Sequence, residues 1–562
     1  MKVVIIGGVA GGASAAARLR RLDESVEIVM LERTGYVSYA NCGLPYYVGG
    51  VIADRAELTL QTPERFRERF NIDVRVGSEV TAINREAKTV SVREAETGRI
   101  YEEPYDKLIL APGAAPVVPA AVSLDSPRVF TLRTVEDALA LRAFVTEKTP
   151  RRAVVVGGGF IGIEAAENLV EMGVETTLVQ RPAQLLKPLD ADMAAFVHAE
   201  MRAHGVRLVL GGSLEAVDEE ACGLVVRLGD GEALPADLVV LAIGVAPEAH
   251  LAAEAGLALG QRGSIAADAS MRTSDPDIFA VGDAVEVTHG VTGKKALVAL
   301  AGPANKQGRI AADVICGLNS RYGGSWGSSV IKVFDLTVAS TGLNEAAARA
   351  QGYDCDTVIL SPGSHAGYYP GARPLTMKVV FEKGTLRLLG AQIVGAEGAD
   401  KRIDVLACAM QLGADGVRLK DLDLAYAPPY SSAKDPVNMA GFMIENVAAG
   451  LMKQAGYDEI PALRSAGATL LDVRTGAEWD RGHIDGFVHI PLDELRDRLR
   501  ELPASVPVYV TCQSGLRSYV ACRMLAQHGF DAYNFRGGYG FYRVVAADGE
   551  PVRCARPCGA ER

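Results

Sequence analysis

A glycine-rich turn between a short apolar segment and a helix-forming segment occurs twice in this chain. The first copy, KVVIIGGVAGGASAAARL, begins at Lys2, and the second, RAVVVGGGFIGIEAAENL, begins at Arg152. Each apolar run is short and rich in β-branched residues, which predicts a buried parallel strand. Glycines after such a strand let the backbone approach a pyrophosphate, and the next helix offers it unpaired N–H groups. The repetition therefore predicts an α/β fold with two dinucleotide-binding units.

The residue at the end of the following strand distinguishes the two units. Glu32 ends the strand VEIVMLE, where a carboxylate can bind a ribose hydroxyl. In the second unit Gln180 and Arg181 occupy this position. A carboxylate would repel a 2′-phosphate, whereas Gln with Arg can accept one. The second unit is therefore predicted to accept NADPH, or both nicotinamide nucleotides, with Arg181 as an ordinary surface charge being the alternative.

Composition and charge exclude several other classes of protein. The net charge of −11 argues against nucleic acid as the main partner. The 9 cysteines are dispersed and do not form the framework of a secreted disulfide protein. The N-terminus is a strand entering a glycine turn rather than a signal peptide, and no apolar run approaches the ~20 residues that span a bilayer. We expect a soluble cytoplasmic protein.

One loop contains a single cysteine in a setting that suggests chemistry. The stretch SYANCGLPYY, Ser38 to Tyr47, places Cys42 among small and aromatic residues. Redox enzymes that use a cysteine pair keep the second cysteine close by, but Pro45 and Tyr47 occupy the nearest candidate positions. The residues alone leave open what Cys42 pairs with.

Two further segments, LILAPGAAP and DIFAVGDAVEV, resemble those that flank a flavin. With the two glycine turns they make residues 1 to about 446 resemble the flavin-dependent pyridine nucleotide–disulfide oxidoreductases. The resemblance implies FAD in the first unit, with Asp283 at its ribityl chain, and NAD(P)H in the second. It also implies that Leu300–Ala312 lies beneath the flavin and that Trp326–Phe442 is a dimerisation domain.

The positions that match cofactor contacts of this family fall in the glycine turns and after the strands. They are Gly7, Gly8, Val9, Ala10, Gly11, Gly12, Glu32, Arg33, Pro112, Gly113, Gly157, Gly159, Phe160, Ile161, Gly162, Glu164, Gln180, Arg181, Gly244, Gly282, Asp283, Pro303 and Asn305.

Within this family, the single-cysteine loop and the turn GGVAGG are similar to those of the coenzyme A-disulfide reductases. Val9 therefore departs from the general glycine fingerprint but not from this subgroup. Related NADH peroxidases and water-forming oxidases carry a His in the turn, where this chain has Ala10. This difference disfavours a peroxidase.

The subgroup also implies a coenzyme A site in a homodimer. Tyr368 and Tyr426 would reach the cysteine of the partner subunit and its coenzyme A; ordinary loop packing is the alternative. The matching positions along the coenzyme A site are Ser14, Arg18, Arg21, Ser38, Asn41 and Cys42. Arg18 and Arg21 are three residues apart on a predicted helix and share a face, so they could hold phosphates or form a solvated surface.

A second cysteine loop lies near the C-terminus, between the strand VPVYVT and a helix that begins near Ser518. The loop consists of Cys512, Gln513, Ser514, Gly515, Leu516 and Arg517. A cysteine at a helix N-terminus faces the positive end of the dipole and converging N–H groups, an arrangement that favours an anion.

This region resembles a single-domain rhodanese over about residues 461 to 546, from the C-x-x-G-x-R loop and the motif LDVRTGAEWDRGHI. The resemblance implies a persulfide on Cys512 and bracing of the loop by Asp472, Arg474 and Glu478. Phosphatases of this fold have one more residue in the loop. An inactive rhodanese fold used for docking is the alternative.

The tail CARPC contains Cys554 and Cys558. It offers too few ligands for a metal site, and the sequence predicts no metal elsewhere. We expect a mobile tail with incidental thiols, and a redox role is the alternative.

The predicted architecture has four domains and one linker. They are an FAD domain (1–112 and 245–322), an NAD(P)H domain (113–244), an α+β dimerisation domain (323–446), a linker (447–460) and an α/β rhodanese domain (461–562). The expected activity is NAD(P)H-dependent reduction of coenzyme A disulfide, coenzyme A persulfide or polysulfide through Cys42, with sulfane sulfur supplied by the rhodanese. The alternatives are a flavin oxidase using O2 and a sulfur-carrier or redox-sensing protein without significant turnover.

Overall fold

A computed structural model describes residues 1–221 and 223–548. Cys554 and Cys558 lie outside these residues. The chain forms two compact units, one from residues 1–185 and 204–327 and the other from 186–203 and the described residues from 328 onward. No helix in the described part is long and apolar enough to cross a bilayer.

The first sheet of the first unit is parallel and built around the N-terminal strand. Its strand order is Ile278–Ala280, Lys107–Leu110, Lys2–Ile6, Glu27–Leu31 and Asp73–Arg75. Val3 and Ile5 pack into one core, and Val4 and Ile6 pack into another on the opposite face. Burial on both faces explains the continuous apolar run in the sequence.

The second sheet of this unit repeats the pattern. Its strand order is Arg207–Leu210, Glu175–Gln180, Arg152–Val156, Leu238–Leu241 and Val129–Phe130, with all neighbours parallel. Helices Ala10–Leu22 and Phe160–Glu171 follow the central strands of the two sheets. The prediction of two dinucleotide-binding folds of the Rossmann type is confirmed.

The glycines of both turns are required by close backbone packing. Gly7 (φ +98°) and Gly157 (φ +117°) have left-handed backbones, and a Cβ on either would lie 2.1 Å from a carbonyl oxygen of the adjacent chain segment. A Cβ on Gly12 or Gly162 would lie 1.9 or 1.8 Å from the carbonyl oxygen of the turn itself. Larger residues would therefore force the helix away from the sheet.

The remaining elements of the first unit surround these sheets. Antiparallel strands form the sets Ser78–Asn84, Thr89–Glu94 and Ile100–Pro104; Leu214–Glu220, Gly223–Leu228 and Ala233–Ala236; Ala114–Pro116 and Val245–Pro247; and Val287–Thr288 and Lys295–Ala296. The further helices are Leu44–Val48, Pro63–Phe70, Val135–Lys148, His250–Glu254 and Ala301–Ile315.

The second unit contains an antiparallel sheet and a parallel sheet. The antiparallel order is Ser329–Val333, Leu336–Gly342, Leu388–Gly395, Leu375–Glu382 and Cys355–Leu360, with helices Ala191–Ala203, Glu345–Ala350, Ala399–Gln411 and Pro436–Ala448. The parallel order is Lys453–Ala455, Ala532–Phe535, Val508–Thr511, Thr469–Asp472 and Val488–His489, with helices Ile460–Ser465, Gly476–Asp480, Leu495–Arg498, Leu516–Gln527 and Gly538–Asp548.

Two segments contribute to this unit in ways that the predicted domain boundaries did not anticipate. Strand Lys453–Ala455 falls within the expected linker, yet it pairs in parallel with Ala532–Phe535. Helix Ala191–Ala203, within the expected NAD(P)H domain, contacts the last helix, where the His198 Nδ1 and Asp548 carboxylate lie 2.7 Å apart. A three-residue strand has no periodic pattern to detect, and the helix contact joins residues far apart in sequence.

A buried lysine binds three carboxylates beside the antiparallel sheet. The ammonium of Lys378, with 3% of its side chain exposed, lies 3.1 Å from Asp190, 2.8 Å from Asp192 and 3.0 Å from Glu345. Burial alone would raise the pKa of Glu345, but Lys378 and Arg349 lower it to about 2. The lysine therefore compensates three carboxylates from two segments that are far apart in sequence.

Replacement Lys378→Met should destabilise the protein by about 3–5 kcal/mol, because it leaves buried carboxylates without a cation. Lys383→Met is the matched control, because Lys383 lies 3.1 Å from Asp354 with both side chains mostly exposed, and it should cost at most about 1 kcal/mol. Calorimetric unfolding of both variants measures the difference. Equal destabilisation would contradict the assigned role of Lys378.

Candidate functional site

Cys42 occupies a short 3-10 turn, Asn41–Gly43, immediately before helix Leu44–Val48. The loop is attached to the first glycine turn, because the Ser38 amide donates to the Gly8 carbonyl at 2.8 Å. Cys42 is solvent-exposed and forms no disulfide. Its thiol can therefore react with a sulfur that comes from outside the loop.

Burial by surrounding atoms raises the pKa of the Cys42 thiol, although part of the residue reaches solvent. The carboxylate of Glu164 adds to this rise, and the guanidinium of Arg133 opposes it. The thiolate of Cys42 is therefore opposed by burial and by the carboxylates of Glu164 and Asp283, and favoured by the guanidinium of Arg133.

The carboxyl group of Glu164 also has a shifted pKa. It lies on helix Phe160–Glu171 and accepts a hydrogen bond from the Tyr46 hydroxyl at 3.3 Å. Burial raises the pKa of Glu164 to about 7, although the Tyr46 hydroxyl opposes the rise. Glu164 was predicted from its position in the second glycine motif, but its contact with the loop of Cys42 could not be seen in the sequence.

Arg133 is a residue that the sequence analysis missed. Its guanidinium donates to the Ala114 carbonyl at 3.0 Å and to the Asp283 carboxylate at 3.0 Å. With the amide of Asn41 turned to satisfy both of its ends, Asn41 accepts from Arg133 Nη1 at 2.9 Å and donates to the Arg133 carbonyl at 3.1 Å. No motif marks Arg133, because its partners come from three distant segments.

The strand-end residues Glu32 and Gln180 occupy equivalent places in the two dinucleotide-binding folds of the first unit. A Glu32 carboxylate oxygen accepts from the Gly8 amide at 2.9 Å, and the Gln180 amide oxygen accepts from the Gly158 amide at 2.9 Å. The same hydrogen bond thus stabilises both turns, with a charged acceptor in the first and a neutral one in the second. Arg181, beside Gln180, is exposed.

The helices that follow the two turns suit phosphate binding. Neither Val9 nor Gly159, the residues that precede them, makes a side-chain capping hydrogen bond. Their first N–H groups remain available to an anion. Since a Cβ would also block the close approach at the glycines, both turns fit a dinucleotide pyrophosphate.

The other predicted cofactor residues lie beside these turns. Strands Lys107–Leu110 and Ile278–Ala280 are neighbours in the first sheet, so their carboxyl ends bring Pro112 and Gly113 near Gly282 and Asp283. Gly244 follows a strand of the second sheet, and Arg33 forms an ion pair with Glu248. Pro303 and Asn305 lie on helix Ala301–Ile315.

A cavity of about 390 Å³ opens beside the first helix. It is lined by Ala13, Ser14, Ala17, Arg18, Arg21, Ser38, Gln61, Phe66, Phe70, Asn305 and Arg309. Four of the predicted coenzyme A positions are among them, whereas Asn41 and Cys42 are not. Sequence reasoning missed Gln61, Phe66, Phe70 and Arg309.

The cavity combines positive charge with an apolar wall. Arg18 is held by Asp313 at 2.6 Å, which leaves the charges of Arg21 and Arg309 to the cavity. Phe66 and Phe70 form the apolar part, with ring centroids 6.0 Å apart. Such a lining suits a ligand with both phosphate and apolar groups.

The two predicted tyrosines meet in the second unit. Their hydroxyl oxygens lie 2.5 Å apart, and Tyr368 and Tyr426 are 76% and 45% exposed. They come from loops 58 residues apart in sequence. The structure thus joins them in one exposed pair.

The C-terminal cysteine loop surrounds a buried sulfur. Cys512 Sγ accepts hydrogen bonds from the Gly515 amide at 3.1 Å and the Ser518 hydroxyl at 3.3 Å. Gly515 (φ +95°) precedes helix Leu516–Gln527. Gly538 packs so closely that a Cβ would lie 2.7 Å from the Ser514 nitrogen. Ser518 and Gly538 were not predicted to belong to the site.

Residues from the motif LDVRTGAEWDRGHI lie against this loop. Arg517 and Glu478 form two parallel hydrogen bonds of 2.7 Å each. This pairing lowers the pKa of Glu478 to about 2. Behind them the buried Arg474 binds Asp472 at 2.7 Å and lies 3.8 Å above the Tyr539 ring.

Comparison with known families agrees with this geometry. The family model described as pyridine nucleotide-disulphide oxidoreductase matches residues 1–308. The chain belongs to this family. The family's dimerisation domain matches residues 328–436, and a rhodanese-like domain matches residues 457–542. The resemblances inferred from the motifs are thus confirmed, and the family implies use of a flavin and a pyridine nucleotide.

Several individual proteins are similar over most of the chain. The coenzyme A disulfide reductase of Staphylococcus epidermidis is 36% identical over 442 residues, 78% of this chain and 99% of that protein. The structure of reduced Bacillus anthracis CoADR-RHD is 49% identical, with a TM-score of 0.95 and coverage of 97% of this chain and 98% of that one. An NAD-dependent persulfide reductase from A. fulgidus is 39% identical, with a TM-score of 0.92 and coverage of 96% and 100%.

Replacement Glu164→Gln should lower the pKa of Cys42, because it removes a negative charge that opposes the thiolate. Glu164 is ionised above about pH 7. The substitution should therefore change the ionisation of Cys42 at alkaline pH, where Cys42 loses its proton. The alkylation rate of the Cys42 peptide by iodoacetamide, followed by mass spectrometry against pH, measures the shift. Glu171→Gln, at the exposed end of the same helix, should leave the profile unchanged; an unchanged profile in Glu164→Gln would refute the coupling.

Proposed function

We propose that this chain is an FAD-dependent reductase that uses NAD(P)H to reduce the S–S bond of coenzyme A disulfide, coenzyme A persulfide or polysulfide through Cys42. The observation on which this rests is an accessible single thiol in the same loop as a residue that lines a cationic cavity. Ser38, four residues before Cys42, lines that cavity, and none of the described cysteines forms a disulfide. The names of the similar reductases agree with this substrate class.

The cavity is the proposed coenzyme A site. Arg21 and Arg309 would bind phosphate groups, with Arg18 kept in place by Asp313. Phe66 and Phe70 would contact apolar parts of the ligand. Ser38 and Asn41 would lie at the end of the ligand nearest Cys42, where its sulfur reacts.

The two glycine turns are the proposed cofactor sites. Residues 7–12, Glu32 and Asp283 would hold FAD, and residues 157–162 with Gln180 would hold NAD(P)H. When bound, these groups supply a hydride and deliver two electrons to sulfur. Arg133 would orient Asn41 and balance Asp283, while Glu164 and Tyr46 control the charge beside Cys42.

The proposed sulfur chemistry begins with the Cys42 thiolate. It attacks one sulfur of R–S–S–R′, forming Cys42–S–S–R as the original S–S bond breaks and R′–S⁻ leaves with the electron pair. With coenzyme A persulfide as substrate the leaving group is sulfide. Two electrons then break the mixed disulfide and return the Cys42 thiolate together with R–S⁻.

The rhodanese-like domain is proposed to supply sulfane sulfur. Cys512 would carry it as a persulfide, stabilised by the Gly515 amide and the Ser518 hydroxyl that now bind its Sγ. Joining both domains in one chain raises the effective concentration of this sulfur. In the proposed homodimer, Tyr368 and Tyr426 complete the site around Cys42 of the partner subunit.

Cys42→Ser should abolish sulfide release from polysulfide or coenzyme A persulfide and the accompanying NAD(P)H consumption, because no thiolate remains to accept sulfur. Cys512→Ser should spare these small substrates and impair only sulfur that enters through the rhodanese-like domain. Steady-state assays with both nicotinamides and a sulfide electrode test this.

Full sulfide release by Cys42→Ser would overturn the assignment of Cys42. Undiminished NAD(P)H turnover with O2 in that variant would instead favour a flavin oxidase. Negligible NAD(P)H consumption by the wild type with every S–S substrate would favour a sulfur carrier.

Gln180→Glu should raise the KM for NADPH at least tenfold and leave that for NADH nearly unchanged, because a carboxylate at this position repels the 2′-phosphate. The substitution retains an oxygen that can accept from the Gly158 amide. Arg181→Ala, measured in parallel, separates the contribution of the neighbouring cation. Equal KM changes for the two nucleotides in Gln180→Glu would mean that the 2′-phosphate does not lie near this residue.

A further inference from the structure

A single buried arginine connects the loops that present the two exposed tyrosines. Arg402 lies on helix Ala399–Gln411 and is 1% exposed. Its Nη2 donates to the Ser364 carbonyl at 3.0 Å and to the Tyr430 carbonyl at 3.3 Å. Ser364 is four residues before Tyr368, and Tyr430 is four residues after Tyr426. One nitrogen thus fixes both loops.

Further hydrogen bonds hold Arg402 in place and join the two tyrosine loops. Arg402 Nε and Nη2 lie 3.2 and 3.1 Å from the Asp435 carboxylate, which also accepts from the Ser431 hydroxyl at 2.6 Å. The Ala366 amide donates to the Ser431 carbonyl at 3.0 Å, which joins the loops directly. Because Arg402, Ser431 and Asp435 are buried, these hydrogen bonds replace those that water would otherwise supply.

The contacts of this network match the several donors of a guanidinium. Gly398 (φ +74°) accepts from Arg402 Nη1 through its carbonyl at 3.2 Å, and a Cβ on Gly398 would lie 1.9 Å from that nitrogen. A lysine would carry the same charge, but its single ammonium cannot direct donors toward Gly398, both loops and Asp435 together. Charge compensation of Asp435 alone would not require the contacts to two loop carbonyls.

We propose that Arg402 is a positioning residue for the Tyr368–Tyr426 pair. By fixing the two loop bases, it holds the hydroxyls at the 2.5 Å separation that presents them as one unit. This inference rests on the proposed role of the tyrosines at Cys42 of the partner subunit.

The test compares three variants: Arg402→Lys, the double variant Tyr368→Phe/Tyr426→Phe, and the triple variant that combines all three substitutions. Each is assayed as FAD-loaded protein with NADH and coenzyme A disulfide. Arg402→Lys should lower kcat about ten- to a hundredfold, because small displacements of positioned groups have effects of this size. The KM for NADH should not change. The triple variant should be no slower than the tyrosine double variant, because both changes remove the same contribution. Arg418→Lys, at an exposed site in the same unit, is the matched control.

Hydrogen exchange provides a readout independent of turnover. Amide exchange should become faster in residues 364–371 and 426–431 of Arg402→Lys and remain at the wild-type rate in Arg418→Lys. If Arg402→Lys does not fold, Ser431→Ala replaces it in every comparison, because it removes the hydroxyl bridge between Arg402 and Asp435.

The outcomes separate this inference from the proposed function. Wild-type kcat in Arg402→Lys beside a slow tyrosine double variant overturns the positioning role alone. Losses that multiply in the triple variant also overturn it, because they show a general structural effect. Wild-type kcat in the tyrosine double variant overturns both the tyrosines' proposed role and the inference that depends on it.

Discussion

Close backbone contact between a glycine turn and the neighbouring strand determines the arrangement of the first unit. At Gly7 and Gly157 the space for a side chain is taken by a carbonyl oxygen 2.1 Å from where a Cβ would be. This contact lets each helix begin at the carboxyl edge of its sheet with unpaired N–H groups directed outward. The Cys42 loop depends on the same contact, because Ser38 bonds to the first turn.

Charge around Cys42 is distributed over residues from separate elements. Arg133 favours the thiolate, and burial together with Glu164 disfavours it. Because these effects oppose each other, the pKa of Cys42 changes when Glu164 gains a proton or when Arg133 gains a new partner. The rhodanese-like loop is organised differently. There the Arg517 charge is matched by Glu478, and the sulfur is bound by an amide and a hydroxyl.

Patterns local in sequence were sufficient to predict the fold and to single out the loops of Cys42 and Cys512. The turns at Gly7 and Gly157, the loop of Cys42 and the C-x-x-G-x-R loop each lie within about twenty residues. Contacts between distant segments were not predictable. Arg133 and Arg402 act through partners far along the chain, and Arg309 lines the cavity with residues far from it in sequence. A lone arginine in a helix or loop has no distinguishing pattern. The strand Lys453–Ala455 was missed because its pairing depends on a strand about 80 residues later.

The sulfurs of Cys42 and Cys512 differ in their exposure to solvent. Cys42 is exposed, whereas Cys512 has no accessible surface. A sulfur bonded to Cys512 would extend the side chain by about 2.05 Å, so that this added atom, rather than the cysteine's own, would be the one nearest an incoming thiol. Large oxidants and alkylating reagents would then meet Cys42 first. If the proposed function holds, burial alone would separate a sulfur that receives whole molecules from one that exchanges single atoms, a form of size selection that requires no gate or moving part.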